Sequence, residues 1–221
     1  MSRVVIVGSS ASLLDKKLGN VIDTYPHVVR FNCYVTKGLE EHVGSKEKIW
    51  ACNLGLAVHI GTVSKYLSQG HNRYMWYVGN NYEIEKRILR LKRTLRKQFS
   101  VESLNFDVAE YIGDIKNEFK EEKLCFKRNK IRCGDNEKYA TTGLRAIFKC
   151  LERFGKAHIC GFTSWQGDNV GVNNGHYYTI ENVPTHMHTA FKSHPEREHD
   201  VETEAKIIKK LKHMNLLEEI E

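Results

Sequence analysis

Arg3-Val4-Val5-Ile6-Val7-Gly8, followed at once by Ser9-Ser10-Ala11-Ser12, is the stretch whose reading decides the fold. A short β-branched run ending on glycine predicts a buried parallel strand that feeds a turn. Leu13 to Tyr25 then carries Leu14, Leu18, Val21 and Ile22 at helical spacing, and Pro26 stops the helix. His27-Val28-Val29-Arg30-Phe31-Asn32 reads as a second strand. Strand, small-residue turn, helix, strand is how many doubly wound α/β folds begin.

The pattern continues along the chain. Lys48–Cys52 and Tyr74–Val78 read as further strands, and residues 83–98 as a helix with Ile84, Ile88, Leu91 and Leu95 on its apolar face. Residues 100–138 are polar and give no clear period. Residues 142–154 predict a helix with Leu144, Ile147, Phe148 and Leu151 on one face, ended by Gly155, and 157–162 a buried strand. A Gly/Asn-rich loop spans Thr163–Gly175, and a last helix covers roughly 200–213. No internal repeat occurs. The expectation is one α/β domain over residues 1–221, with a mainly parallel sheet flanked by helices in the Rossmann-like manner.

Composition narrows the class. The 221 residues are 41% hydrophobic and 28% charged, which excludes collagen-like, mucin-like and disordered chains. No apolar run approaches the ~20 residues that cross a bilayer. The strand-like start leaves no room for a secretory leader. The six cysteines form no Cys-x-x-Cys pair, which suits a soluble protein of a reducing compartment. The net charge of +7 favours anionic partners. Part of it lies on the polar face of the 83–98 helix, with Lys86, Arg87, Arg90, Lys92, Arg93, Arg96 and Lys97. That face is either a solvated helix surface or one that attracts anionic glycan or lipid-linked acceptors. No aromatics interleave with it, which argues against nucleic acid.

Candidate chemistry is concentrated in a few places. Gly8-Ser9-Ser10-Ala11-Ser12 is either a phosphate cradle at a helix start or a tight turn of small residues. It is neither the dinucleotide nor the P-loop fingerprint. No Asp-x-Asp occurs, so nothing marks the divalent-cation site that many nucleotide-sugar transferases place on a diphosphate. His176, His186, His188, His194 and His199 cluster late in the chain, without a carboxylate or cysteine at a familiar zinc spacing.

The order of these pieces resembles the eukaryotic-type sialyltransferases, glycosyltransferase family 29. Their large sialylmotif appears as Val5 to Leu13, Leu18-Gly19, Ile22-Asp23 and Val28 to Asn32, followed by Val43-Gly44-Ser45-Lys46. The small sialylmotif appears as Ala140-Thr141-Thr142-Gly143 through Gly161-Phe162, the third as His176-Tyr177-Tyr178, and the very short one as His199 with Glu204. The resemblance implies the GT-A-like variant of the fold and an inverting, metal-independent transfer of sialic acid from CMP-sialic acid to a glycan hydroxyl. It implies no cofactor. By the same resemblance, Gly8, Ser9, Ser10, Asn32, Thr141, Thr142, Gly143 and Tyr177 serve the donor, His176 the leaving phosphate, and His199 acts as general base.

The departures are Ser9 for the usual Asn, Ala140-Thr141 for Pro-Ser, and Thr179 for the acid after His-Tyr-Tyr. Val4 and Phe154 stand where disulfide-bonded members carry their cysteines. A cytosolic bacterial, viral or protist setting follows, rather than that of a Golgi type II membrane protein. A CMP-Kdo donor, or a non-catalytic CMP- or glycan-binding protein, are the alternatives these residues leave open.

Overall fold

The structure is a computed structural model that describes residues 3–53, 66, 74–77, 86, 90, 93, 100–103, 117–127, 130–163, 176–178, 181 and 199–221. Its strands in chain order are β1 (Val4–Val7), β2 (His27–Phe31), β3 (Ile49–Cys52), β4 (Tyr74–Tyr77), β5 (Ser100–Ser103), β6 (Cys125–Lys127), β7 (Lys130–Cys133), β8 (Lys138–Tyr139), β9 (Ala157–Cys160) and β10 (Leu217–Glu219). Among the described residues, seven of them form one sheet in the order β10-β9-β1-β2-β3-β4-β5. Every pairing in it is parallel. β6, β7 and β8 form a separate antiparallel sheet.

β1 is buried on both faces because the sheet is covered on both. Successive side chains alternate. Val4 and Ile6 join one apolar cluster, with Leu144, Ile147, Phe148 and Leu151 of α3 (Thr142–Phe154) and Ile207 and Leu211 of α4 (Val201–His213). Val5 and Val7 join the other, with Leu13, Ile22 and Val43. Those three come from a 3-10 turn (Ala11–Asp15), α1 (Gly19–Asp23) and α2 (Glu40–Val43). Val4 and Phe154 lie in and against the same apolar cluster, so hydrocarbon packing occupies the positions of the family's bridging pair. Among the described residues, which include all six cysteines, no disulfide forms.

Two expectations are revised. The helix expected over Leu13–Tyr25 is two short pieces, because Lys16 is extended (φ −121°, ψ 143°) and interrupts the helical ladder. Leu14 and Val21 then face solvent, while Leu13, Leu18 and Ile22 stay buried. Within residues 100–138, read as polar and without a clear period, and on to Tyr139, the strands Cys125–Lys127, Lys130–Cys133 and Lys138–Tyr139 form the small antiparallel sheet. Lys86, Arg90 and Arg93 are helical and exposed; the rest of the expected 83–98 helix lies outside the described residues, as do His186, His188, His194 and most of the Thr163–Gly175 loop.

The early motifs explain each other physically. The Asp23 carboxylate accepts the backbone N–H groups of Ser45 (3.0 Å) and Lys46 (2.8 Å) and the Ser45 hydroxyl (2.7 Å). Lys46 Nζ in turn donates to the carbonyls of Asp23 (2.8 Å) and Tyr25 (2.6 Å). Arg30, fully buried, donates to the carbonyls of Val43 (2.6 Å), Gly44 (3.2 Å) and Lys46 (3.0 Å), which caps the end of α2. Burial pushes the Asp23 carboxyl up, but the Ser45 and Lys46 donors and the Arg30 charge more than offset it, and the net pKa falls below the usual value. The stabilisation from Asp23 is therefore complete above its unfolded pKa of about 3.9 and is lost as the pH falls through the lower folded value. Asp23→Ala should cost about 1.5–3 kcal/mol at neutral pH, seen as a lower urea midpoint at unchanged slope. A loss under about 0.5 kcal/mol, the surface-substitution range, would contradict the lock.

Candidate functional site

From β1 the chain steps outward through β2 to β5, then returns to β9 on the other side of β1. The strand order reverses there, and in such sheets the crevice beyond the carboxyl ends of the two strands is the ligand site. The turns leaving β1 and β9 touch: Gly8 N–H donates to Cys160 O (2.8 Å) and Ser10 N–H to Gly161 O (3.1 Å). A Cβ on Gly8 would sit 2.1 Å from Gly161 O, so only glycine permits this approach. Gly161 itself has φ +68°. The cleft above these turns is lined by Gly8, Ser9, Ser10, Phe31, Asn32, Thr141, Thr142, Gly143, Leu144, Gly161, Phe162, Thr163, His176, Val201, Glu204 and Ile208.

Its polar groups are fixed in place. Asn32 adopts the left-handed conformation (φ 43°), which asparagine tolerates better than most residues. Its Oδ1 accepts Asn53 N–H at 3.0 Å. That contact orients the amide and leaves its NH2 as a donor. Ser10 Oγ accepts Ser12 N–H (3.2 Å) and the Thr163 hydroxyl (3.2 Å). Thr141 caps α3, its hydroxyl accepting Leu144 N–H at 3.1 Å. The N–H groups of Thr142 and Gly143 lie in the first turn, where no intrahelical acceptor exists, so the positive end of α3 opens on the cleft.

His176 pairs with Ser10 in an isolated bridge, and its ring stacks on Tyr178 with centroids 5.0 Å apart. Burial drives its pKa down to about 4, against the opposing effect of the Ser9 backbone, so the ring is neutral at pH 7. Tyr177 does not line the cleft. It is buried, its N–H donates to Ser9 O (3.0 Å) and its hydroxyl accepts Val35 N–H (3.4 Å). It supports the Ser9 turn from behind.

The start of α4 is fastened to residues 139–141. Nδ1 of His199 lies 2.6 Å from the Tyr139 carbonyl. A carbonyl can only accept, so Nδ1 carries the proton and Nε2 the lone pair of the neutral ring. Glu204, buried, accepts Thr141 N–H (2.7 Å) and the Thr141 hydroxyl (2.6 Å). Burial raises its pKa to about 7; the Thr141 hydrogen bonds and Arg145 oppose this and Asp200 reinforces it. His199 lies outside the cleft lining, two residues before Val201, which belongs to it.

Gly8, Ser9, Ser10, Asn32, Thr141, Thr142, Gly143 and His176 thus meet in one cleft, while Tyr177 and His199 stand behind and beside it. Glu204 was legible only as a motif member; its contact with Thr141 crosses the chain from α4 to α3. Phe31, Phe162 and Ile208 supply apolar walls that read in the sequence as ordinary core.

A parallel sheet with a cleft at its switch point defines an α/β protein of the doubly wound kind. Residues 1–216 match the family model for glycosyltransferase family 29 (sialyltransferase). No curated protein sequence matches the chain. A mammalian sialyltransferase in complex with Gal-beta-1-3GalNAc-ortho-nitrophenol shares the fold, with a TM-score of 0.57 and 18% identity over 99% of this chain and 69% of that one. Another structure of a mammalian sialyltransferase gives a TM-score of 0.54 and 16% identity over 99% and 68%. The chain belongs to glycosyltransferase family 29 and is a CMP-sugar-dependent glycosyltransferase of the sialyl-transferring kind. Among the described residues, no helix is long and apolar enough to cross a membrane.

The environment of His176 has a direct spectroscopic consequence. In a pH series followed by NMR of the histidine ring protons, His176 should stay neutral down to about pH 5 and titrate near 4. A midpoint near the ordinary value of about 6.5 would show that its ring is solvated rather than packed on Tyr178.

Proposed function

We propose that the cleft holds CMP-sialic acid and that the chain transfers its sialyl group, with inversion and without a metal ion, to a glycan hydroxyl. The observation that carries this reading is the meeting of the β1 turn, Asn32, His176 and the open N-terminus of α3 in one cleft. The donor offers two anionic groups, a phosphate monoester linkage and a carboxylate, and the cleft offers backbone and side-chain donors for both. CMP leaves as a monophosphate and needs less charge neutralisation than a diphosphate, which suits a chain without Asp-x-Asp. As the bond to C2 breaks, charge gathers on the phosphate, where fixed N–H donors lower the barrier. His176 serves as such a donor once the phosphate's charge draws a proton onto its ring, since the one N–H of the neutral ring already faces the Ser9 backbone. His199, with Nε2 unprotonated, takes the proton from the acceptor hydroxyl as its oxygen attacks C2 from the opposite face. Six cysteines outside any disulfide suit work in a reducing compartment such as the cytosol.

A panel of CMP, CMP-sialic acid, CMP-Kdo, UDP-sugars and GDP-sugars, each with and without EDTA, tests the donor. Cytidine nucleotides should raise the melting temperature, by the equivalent of about 2.7 kcal/mol at a hundred times their dissociation constant, and EDTA should change nothing. Stabilisation by UDP- or GDP-sugars but not by CMP overturns the assignment. Transfer from CMP-Kdo alone would replace the sialyl donor by another 2-keto sugar acid.

Histidine variants separate the two proposed roles. His199→Ala should leave CMP affinity nearly intact while transfer falls about 10²–10⁴-fold. His176→Ala should weaken CMP binding and slow transfer together, since its partner is present in ground and transition states. Full transfer by His199→Ala would remove it as the base.

A further inference from the structure

Glu204 and the proposed donor compete for the same end of one helix. From inside the protein, the Glu204 carboxylate holds the capping residue of α3 through Thr141 N–H and the Thr141 hydroxyl. From the cleft, the N–H groups of Thr142 and Gly143 are open to a ligand, and Glu204 itself lines that cleft. An anion bound there brings a second negative charge to the positive end of α3. Two anions sharing one dehydrated site do not both keep their charge.

We propose that Glu204 takes up a proton when an anionic donor enters the cleft and returns it when the nucleotide leaves, so that donor binding is coupled to protonation of this one buried carboxylate. The inference rests on the donor reading of the same cleft. The proton comes from solvent and adds to one carboxylate oxygen. The clamp survives this change. The neutral carboxyl still accepts Thr141 N–H through its carbonyl oxygen, while its O–H donates to Thr141 Oγ1, whose second lone pair keeps Leu144 N–H. Glu204 thus acts as a positioning residue in both states: its charge responds to the ligand, and its bond to the Thr141 hydroxyl reverses direction without being lost.

The groups facing it agree with this. Arg145 of α3 favours the carboxylate, but its Nε is engaged by the Ala140 carbonyl at 3.0 Å. Asp200 at the start of α4 disfavours it. The Cys133 thiol of β7 is pushed up to about 12 by burial and stays neutral, and His176, on the same cleft, is neutral as well. Burial leaves Glu204 near pH 7, so a further anion is enough to shift its population.

The test is CMP titration calorimetry in buffers of different ionisation enthalpy at about pH 8, where the CMP phosphate, with its own pKa near 6, is already a dianion. The wild-type protein should take up roughly half a proton more than Glu204→Gln. Its CMP affinity should fall by up to about tenfold per pH unit above pH 7, whereas that of Glu204→Gln stays flat. The infrared difference spectrum of the wild-type protein gives a readout that needs no variant: CMP should bring up a protonated-carboxyl band. Equal proton uptake in the two proteins, or CMP binding without that band, overturns the inference and leaves the donor reading standing. No CMP binding at any pH overturns the donor reading and the inference with it.

Discussion

The contact of Glu204 with Thr141 is the interaction on which the site depends. One carboxylate oxygen holds the Thr141 backbone and the other its hydroxyl, so the start of α4 and the start of α3 become a single unit. The neighbouring contact between His199 and the Tyr139 carbonyl fastens the same two segments one step earlier. His199 and the open N-terminus of α3 are thereby set on a common frame. Charge-assisted hydrogen bonds at a buried carboxylate are worth more than neutral ones, and an orphaned buried partner is costly, so this frame is selective as well as strong.

The sheet supplies the opposite wall. Because the strand order reverses between β1 and β9, their two turns rise side by side, and Gly8 lets them close to hydrogen-bonding distance. Asn32, at the end of β2, completes that wall with an amide oriented by Asn53. Tyr177 braces the Ser9 turn from the core side, and His176 stacks on Tyr178. Ser9, Asn32 and His176 are thus each held by a packed or hydrogen-bonded neighbour, which keeps polar groups oriented before a ligand arrives.

The fold was largely legible in the sequence where the chain is regular. β1, β2, β9, α3 and α4 follow from β-branched runs and helical spacing, since each buries a face whose period is visible. The 125–139 sheet escaped because its strands are short, polar and paired mainly with one another. The Leu13–Tyr25 stretch misled because apolar spacing alone does not reveal the extended Lys16. Local motifs located most of the cleft, because turns and helix starts are local. The standing of Tyr177 behind the cleft, and the hold of Glu204 on Thr141, depend on which distant elements meet. Asp23 and Arg30, conspicuous as motif residues, prove to be ties within the scaffold.

A crystal structure of the complex with CMP decides whether the cleft between the β1 turn and the N-terminus of α3 is the donor site. CMP should lie in that cleft, with polar contacts to the N–H of Thr142 or Gly143 and to the Asn32 amide. CMP bound on another surface, or lying in the cleft without touching either wall, would contradict it.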